Sequence, residues 1–297
     1  MISGKEVVSV VQLGRVDYAV GLRLQHKLVE RRKANAIGDV LLLLEHTPVI
    51  TLGRNAKAAN VLASPDLLKQ RAVEVFECDR GGDVTFHGPG QLVGYPILDL
   101  RAFTTPEGER KTLGAVEFVR RLEEVLIRTC TDFGIAAKRV SGLTGVWTGT
   151  GHVGPGCVGT DHVGPGLRPG QGGSETRPHA SRDEAKIAAI GVHISRAVTS
   201  HGFALNVNTD LSYFGLIIPC GIASKPVTSM AKELAREVDV NQVAESVTRN
   251  FGQVFSSQIL WVDTLDALLG HAVGVPLKPP AEFRELHKKD EDETTWA

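Results

Sequence analysis

The sequence lacks the features that are typical of a membrane-spanning protein, of a secreted protein and of a nucleic-acid-binding protein. No apolar run reaches the roughly 18 residues that a transmembrane helix needs, and the longest strong candidate, Val40–Glu45, is only strand-sized. The formal net charge is -1, so no overall basic field indicates nucleic acid. Met1–Arg15 lacks the apolar region of a secretory signal and is too poor in Arg and Ser to resemble a transit peptide.

Cysteine is also scarce. The chain contains Cys78, Cys130, Cys157 and Cys220. No two of them have CxxC spacing, which argues against a zinc ribbon or a thioredoxin motif, and the missing secretory signal favours free thiols over disulfides. Cys220 stands between a proline and a glycine in IIPCGI, which displays its thiol instead of packing it into an apolar stripe. If any thiol is a nucleophile, Cys220 is the leading candidate.

What the sequence does contain is a series of short apolar runs and a few amphipathic helices. Helical spacing predicts helices over Val16–Lys33, Leu113–Phe133 and Val240–Phe255, with a shorter one beginning near Ser64. Gly134 stands where the residue after a helix C-cap belongs. The strand predictions are Val7–Leu13, Val40–Glu45, Val49–Leu52, Val73–Glu77, Leu92–Leu98, Ile135–Val140, Gly145–Thr148, Lys186–Ser195 and Phe203–Val207.

Two segments differ in composition from the rest. Residues 149–179 are rich in Gly and Pro and repeat HVGPG, at His152–Gly156 and His162–Gly166. Two histidines are a weak ligand set, so we expect no metal site there. Residues 271–297 are proline-rich and charged, which is typical of disorder. The sequence therefore predicts a single domain over 1–270, interrupted by an insertion and followed by a disordered tail.

The segment RGGDVTFHGPGQLVGYP, Arg80–Pro96, carries more backbone freedom than a simple turn requires. Its glycines permit positive φ and close backbone approach, and Arg80, Thr85 and His87 accompany them. It matches neither GxxxxGK[ST] nor GxGxxG, so it is not a phosphate loop. It is either an elaborate β-bulge and turn or a wall against which a substrate lies, and the accompanying Arg, Thr and His favour the wall.

Lys186 opens the apolar run KIAAIGVHIS and places an ammonium at a strand start. A nearby cation would raise the small thiolate fraction that a cysteine has at neutral pH. The alternative is an exposed lysine at the end of a strand, and the sequence alone leaves both open.

Five motifs in this order carry a family resemblance. They are LEHTPVITLGR (Leu44–Arg54), RGGDVTFHGPGQLVGYP, KIAAIGVHIS, SHGFALNVN (Ser200–Asn208) and IIPCGIASKPVTS (Ile217–Ser229). Together they resemble the lipoyl(octanoyl) transferase family over roughly Val7–Leu260, outside the insertion. The resemblance implies the α+β fold of biotin- and lipoate-protein ligases, a mixed, largely antiparallel sheet flanked by helices.

The resemblance also implies a reaction without a cofactor. An octanoyl group from octanoyl-acyl carrier protein is held as a thioester on Cys220, whose pKa Lys186 lowers. It then passes to a lysine of the lipoyl domains of 2-oxoacid dehydrogenase E2 subunits and of the glycine cleavage H protein. The implied substrate-binding residues are Arg80, Gly81, Gly82, Asp83, Val84, Thr85, Phe86, His87, Ala189, Ile190, Gly191, Gly202, Phe203 and Ala204.

Several alternatives stay open at this point. His87 and His201 could each hydrogen-bond the acyl carbonyl, move a proton or tie a bend to the sheet, and Arg54 and Arg80 could meet a phosphate or an acidic partner. An ATP-dependent lipoate-protein ligase and a catalytically silent scaffold that binds lipoyl domains are the alternative functions. The insertion favours a eukaryotic source, hence mitochondria; a bacterial source would imply cytoplasm.

Overall fold

A computed structural model describes residues 6–103, 112–149, 184–219 and 225–268. Most of the 149–179 segment, the 271–297 tail, Cys157 and Cys220 lie outside the described residues. The strands are β1 (Val7–Val16), β2 (Asp39–His46), β3 (Val49–Leu52), β4 (Glu74–Glu77), β5 (Val84–His87), β6 (Gln91–Ile97), β7 (Ala137–Val140), β8 (Leu143–Thr148), β9 (Ala185–Ser195), β10 (Val198–Asn206) and β11 (Gln258–Trp261). The helices are α1 (Tyr18–Lys33), α2 (Pro65–Gln70), α3 (Ala115–Asp132), α4 (Met230–Leu234), α5 (Val240–Val254) and α6 (Leu265–Leu268).

Within the described residues, eight strands form one large sheet in the order β11-β1-β2-β6-β10-β9-β8-β7. The pairs β11–β1 and β1–β2 are parallel, and the pairs from β2 through β6, β10, β9 and β8 to β7 are antiparallel. The predicted mixed, largely antiparallel sheet is therefore confirmed. Lys186 and Gly202 lie on the neighbouring strands β9 and β10, near the middle of this sheet.

Helices cover both faces of the large sheet, which explains why β2 is a continuous apolar run. Leu41 and Leu43 join the core cluster that contains side chains of α3 and α5. Leu42 and Leu44 point to the opposite face, into the cluster that contains side chains of α1. Successive strand residues face opposite sides of a sheet, so a strand buried on both sides is apolar at nearly every position.

A second sheet has three strands in the order β4-β3-β5, and this arrangement was not predicted from the sequence. Strand β3 pairs with β4 in parallel and with β5 in antiparallel register. One face of this small sheet packs on a separate hydrophobic cluster of Ile50, Leu68, Val73, Val84, Phe86, Leu216 and Ile217. The other face of β5 is left to face the large sheet.

The predicted element boundaries need three corrections. Strand β1 continues to Val16, so α1 begins at Tyr18 and not at the predicted Val16. Strand β10 begins at Val198, five residues before the predicted Phe203, because β9 and β10 form a tight hairpin. The short elements β11, α4 and α6 were missed. No helix in the described part of the chain is long and apolar enough to cross a membrane.

Candidate active site

A cavity of about 500 Å³, open to solvent, lies between the large sheet and the small one. Three separate motifs supply its walls: the loop before β5 together with β5 itself, the middle of β9 and the middle of β10. The residues of the sequence-derived substrate-binding set that line it are Arg80, Gly81, Gly82, Asp83, Thr85, His87, Ala189, Ile190, Gly191, Gly202, Phe203 and Ala204. The fold therefore brings stretches more than a hundred positions apart to one surface.

Val84 and Phe86 belong to the same set but lie elsewhere. Both are buried in the hydrophobic cluster beneath the small sheet, and neither lines the cavity. Thr85 and His87 alternate with them along β5 and face the cavity. The period of two along a strand gives the reason: a contiguous motif supplies alternate residues to the cavity and to the core.

Glycine is required where the cavity-lining strands come closest to their neighbours. A Cβ at Gly202 would overlap the carbonyl oxygen of Gly94 on β6 and lie 2.5 Å from Cδ of Pro96. A Cβ at Gly191 on β9 would lie 2.6 Å from the carbonyl oxygen of Gly81. Because backbone atoms cannot move aside as the end of a side chain can, these two positions tolerate no side chain unless the facing backbone, β6 for Gly202 and the loop before β5 for Gly191, is displaced.

We expect Gly202→Ala to lower the free energy of unfolding by roughly 2 kcal/mol, since overpacking against backbone must move β6 away from β10. Gly215→Ala is the matched control, because no described atom lies within 4 Å of a Cβ built there. Urea unfolding of both variants measures the difference. Equal stability of the two variants would contradict the packing described here.

Arg80 holds the loop that forms the cavity rim and is almost fully buried. Its guanidinium donates to the carbonyl oxygens of Thr51 (2.7 Å), Asp83 (2.7 Å) and Gly81 (3.1 Å), and also to Thr51 Oγ1. These bonds occupy all three guanidinium nitrogens. The interpretation of Arg80 as a phosphate-binding residue is therefore not supported, whereas Arg54, on the adjoining loop, is exposed.

Aromatic side chains that the sequence analysis did not select complete the cavity wall. Tyr18 at the start of α1 and Tyr95 on β6 both line it. Behind them lies His46. Its Nε2 is hydrogen-bonded to Tyr95 Oη, 2.6 Å away, and its Nδ1 lies 2.8 Å from the carbonyl oxygen of Val16. Burial lowers the pKa of His46 to about 4, so this side of the cavity is neutral.

His201 lines the cavity and has an unusual backbone conformation. Its φ is +54°, a region that costs most residues free energy. Two hydrogen bonds hold it there: its N–H donates to Gln25 Oε1 (2.8 Å), and its Nε2 lies 2.7 Å from Asp79 Oδ1. Burial lowers the pKa of His201 although the Asp79 carboxylate opposes this shift. These contacts favour a role for His201 in fixing the cavity rim.

A second, smaller cavity of about 280 Å³ contains Lys186 and Pro219. The two cavities share Thr85, Ala189 and Ala204 in their walls, so they adjoin one another. Pro219 is the last described residue before Cys220, whose own position lies outside the described residues. The chain thus approaches Cys220, the nucleophile expected from the sequence, beside the lysine that was selected with it.

The Lys186 side chain and backbone are both held by neighbours. Its Nζ lies over the indole of Trp147, 5.0 Å from the ring centroid, which is a cation–π distance. Its backbone N–H donates to the carbonyl oxygen of Pro226, and its carbonyl oxygen accepts from the N–H of Thr228. Residues 226–228, which follow Cys220 in the chain, are therefore paired directly with the strand that carries Lys186.

The described residues contain no group of three or more His, Cys, Asp or Glu side chains arranged to hold a metal ion. The groups available at the two cavities include an ammonium at Lys186, imidazoles at His87 and His201, the hydroxyl groups of Tyr18 and Tyr95, and glycine-lined backbone. Such a site can bind an apolar chain and support a nearby thiolate.

Comparison with protein families matches residues 17–252 to the lipoyl protein ligase A/B catalytic domain. The octanoyltransferase of Koribacter versatilis is 51% identical over 284 residues, covering 96% of this chain and 98% of that protein. The octanoyltransferase of Acidobacterium capsulatum is 52% identical over 265 residues, covering 89% and 96%. Both relatives are bacterial, so the Gly/Pro-rich insertion does not indicate a eukaryotic source, and the mitochondrial expectation is not supported.

Solved structures show the same fold at much lower identity. A bipartite lipoate protein ligase from Thermoplasma acidophilum superposes with a TM-score of 0.59 and 14% identity, covering 87% of each chain. A lipoate-protein ligase A bound with ATP gives a TM-score of 0.56 and 13% identity, covering 88% of this chain and 89% of that one. The predicted lipoate-ligase fold is confirmed.

Proposed function

Because this chain belongs to the lipoyl protein ligase A/B catalytic-domain family, and within it to the octanoyltransferases, we propose a two-step acyl transfer at the adjoining cavities. The protein is an acyltransferase of protein lipoylation. The proposal adds the residues that perform the transfer and the two partners. The observation that carries it is the meeting of three motifs around one cavity, next to Lys186 and to the residue that precedes Cys220.

In the first step, the Cys220 thiolate attacks the carbonyl carbon of a donor thioester. A new C–S bond forms, the donor C–S bond breaks, and the carrier thiolate leaves and takes a proton. Thioester exchange between two thiols is nearly balanced in free energy, so this step needs no ATP. It splits one difficult transfer into two easier ones, as nucleophilic catalysis does.

In the second step, the amine of an acceptor lysine attacks the acyl-enzyme. A C–N bond forms, the bond to the Cys220 sulfur breaks, the sulfur leaves as a thiolate, and the proton that the amine loses passes to solvent. The amide product is more stable than the thioester, so this step draws the cycle forward. We propose octanoyl-acyl carrier protein as the donor and the lysine of a lipoyl domain, in an E2 subunit or the glycine cleavage H protein, as the acceptor.

The cavity walls suit an eight-carbon chain. Apolar burial is worth about 0.8 kcal/mol per methylene before ordering costs, and glycine-lined β9 and β10 let the chain approach the backbone. The role proposed for Lys186 is electrostatic: an ammonium near the sulfur favours the thiolate and lowers the thiol pKa.

Because the relatives are bacterial, the cytoplasm is the compartment that we propose.

Transfer of the octanoyl group from octanoyl-acyl carrier protein to a lipoyl domain should proceed without ATP. The comparison arm supplies free octanoate with ATP and the same lipoyl domain. Product on the acceptor is measured by intact-mass spectrometry. Activity that appears only in the comparison arm would assign the protein to the ATP-dependent ligases. The likeness to solved ligases at 13–14% identity concerns the fold alone and does not favour that assignment.

A further inference from the structure

A chain of buried side-chain amides connects the acyl cavity to the segment that follows Cys220. His87 Nδ1 lies 2.7 Å from Gln91 Oε1. Gln91 Nε2 lies 2.9 Å from Asn206 Oδ1 and 3.2 Å from the carbonyl oxygen of Phe86. Asn206 Nδ2 lies 2.9 Å from the carbonyl oxygen of Thr228. All of these groups are buried.

The direction of every hydrogen bond in this chain follows from its two backbone ends. A carbonyl oxygen can only accept, so the amide nitrogen of Asn206 must face Thr228, and its Oδ1 must face Gln91. Gln91 must then present its nitrogen to Asn206, which agrees with the carbonyl oxygen of Phe86 on the same side. Its Oε1 therefore faces His87 and can only accept. The proton of His87 is consequently on Nδ1.

This tautomer leaves a lone pair on Nε2 of His87. Among the described residues no group is hydrogen-bonded to that nitrogen, and the side chain lines the acyl cavity. Burial lowers the pKa of His87 to about 3, so the ring stays neutral near pH 7. A neutral ring with this tautomer accepts a hydrogen bond at Nε2 but cannot donate one there. His87 therefore cannot be the donor that stabilises an oxyanion on the acyl group.

We propose that Gln91 and Asn206 are positioning residues that hold His87 in the Nδ1–H tautomer, so that Nε2 accepts a hydrogen bond from the attacking amine. An alkyl chain offers no hydrogen-bond donor, whereas the acceptor lysine brings N–H groups to the reacting carbon. Accepting one of them directs the amine lone pair toward the carbonyl. The adjoining walls of the two cavities place His87 and Lys186 on one continuous surface. The identity of the substrate in this inference rests on the proposed function. The tautomer of His87 rests only on the hydrogen bonds.

The tautomer is measured on the substrate-free protein by ¹⁵N NMR of labelled histidine, with His87→Gln identifying the resonances. The expected spectrum has a protonated Nδ1 and an unprotonated Nε2 for His87. Gln91→Met should remove this preference, because it takes away the amide oxygen that accepts from Nδ1–H. Gln253→Met, on the exposed face of α5, is the control. A proton on Nε2 in the wild-type protein would overturn the inference.

The two half-reactions, measured separately in single turnovers, test the catalytic consequence. Gln91→Met should slow acyl transfer from the enzyme to the lipoyl domain about tenfold more than it slows acylation of the enzyme. Equal slowing of both half-reactions would show that the amide chain is only structural and would reject the proposal. If the wild-type protein forms no acyl-enzyme at all, the proposed function fails instead, and the NMR result remains independent of that outcome.

Discussion

Replacing Cys220 with serine should lower the rate of octanoyl transfer by at least about 1,000-fold. Loss of a nucleophile costs an enzyme this much or more, because the remaining site can only bind and orient the reactants. Serine keeps nearly the size of the side chain, but its hydroxyl is not ionised near neutral pH. The rate is measured with octanoyl-acyl carrier protein and a lipoyl domain under saturating conditions.

Two other cysteines serve as controls for this prediction. Cys78 is partly exposed, and its Sγ donates to the carbonyl oxygen of Leu52 at 3.5 Å. Cys130 is fully buried in α3, and burial raises the pKa of its thiol to about 12. Neither lines a cavity described here, so Cys78→Ser should retain transfer, and Cys130 should resist alkylation in the folded protein. Full transfer by Cys220→Ser would show that another group is the nucleophile.

Replacing Lys186 with methionine should slow acylation of the enzyme roughly 100-fold at pH 6. An ammonium within a few ångströms lowers a neighbouring thiol pKa by one to three units, and an unperturbed cysteine has a pKa of about 8.5. Without the lysine, the thiolate fraction at pH 6 falls by about two powers of ten. The deficit should shrink as the pH rises toward 8.5, because the thiol then ionises without help. The rate of alkylation by iodoacetamide against pH measures the thiol pKa directly.

Lys138→Met provides the matched control for this experiment. Lys138 lies on β7, is half exposed, and its Nζ is 2.8 Å from Glu184, so it belongs to the neighbouring surface without entering either cavity. Its loss should leave the alkylation profile unchanged. An unchanged profile in Lys186→Met would reject the electrostatic role and leave the lysine with its contacts to Trp147 and the 226–228 backbone.

The sequence predicted much of this fold where local pattern decides the structure. The apolar stripe of α3 and the glycine that follows this helix are one case. Gly134 has a φ of +80°, as expected for the residue after a helix C-cap. Strand β2 is another, since a run of leucines bounded by turn residues reads as a strand buried on both faces. The common wall of the three glycine-bearing motifs, in contrast, was implied by the family resemblance and not by a local pattern.

Other features depend on contacts that no local pattern carries. Tyr18 and Tyr95 meet in the cavity from α1 and β6 only because the sheet order places β6 next to β10. The four residues of β11 form a strand by pairing with β1 across most of the chain. Arg80 looked like an anion-binding residue, but backbone carbonyl groups from β3 and its own loop satisfy it. The hydrogen bonds that join Gln91 and Asn206 to His87 and Thr228 likewise depend on tertiary contacts that no local pattern carries.

Intact-mass spectrometry of the wild-type protein mixed with octanoyl-acyl carrier protein, without ATP, tests the central claim most directly. The account predicts one octanoyl adduct that hydroxylamine removes, that maps to Cys220, and that disappears when a lipoyl domain is added and gains the octanoyl group. A protein that transfers the group to the lipoyl domain with no such adduct at any time, or with the adduct on another residue, would contradict it.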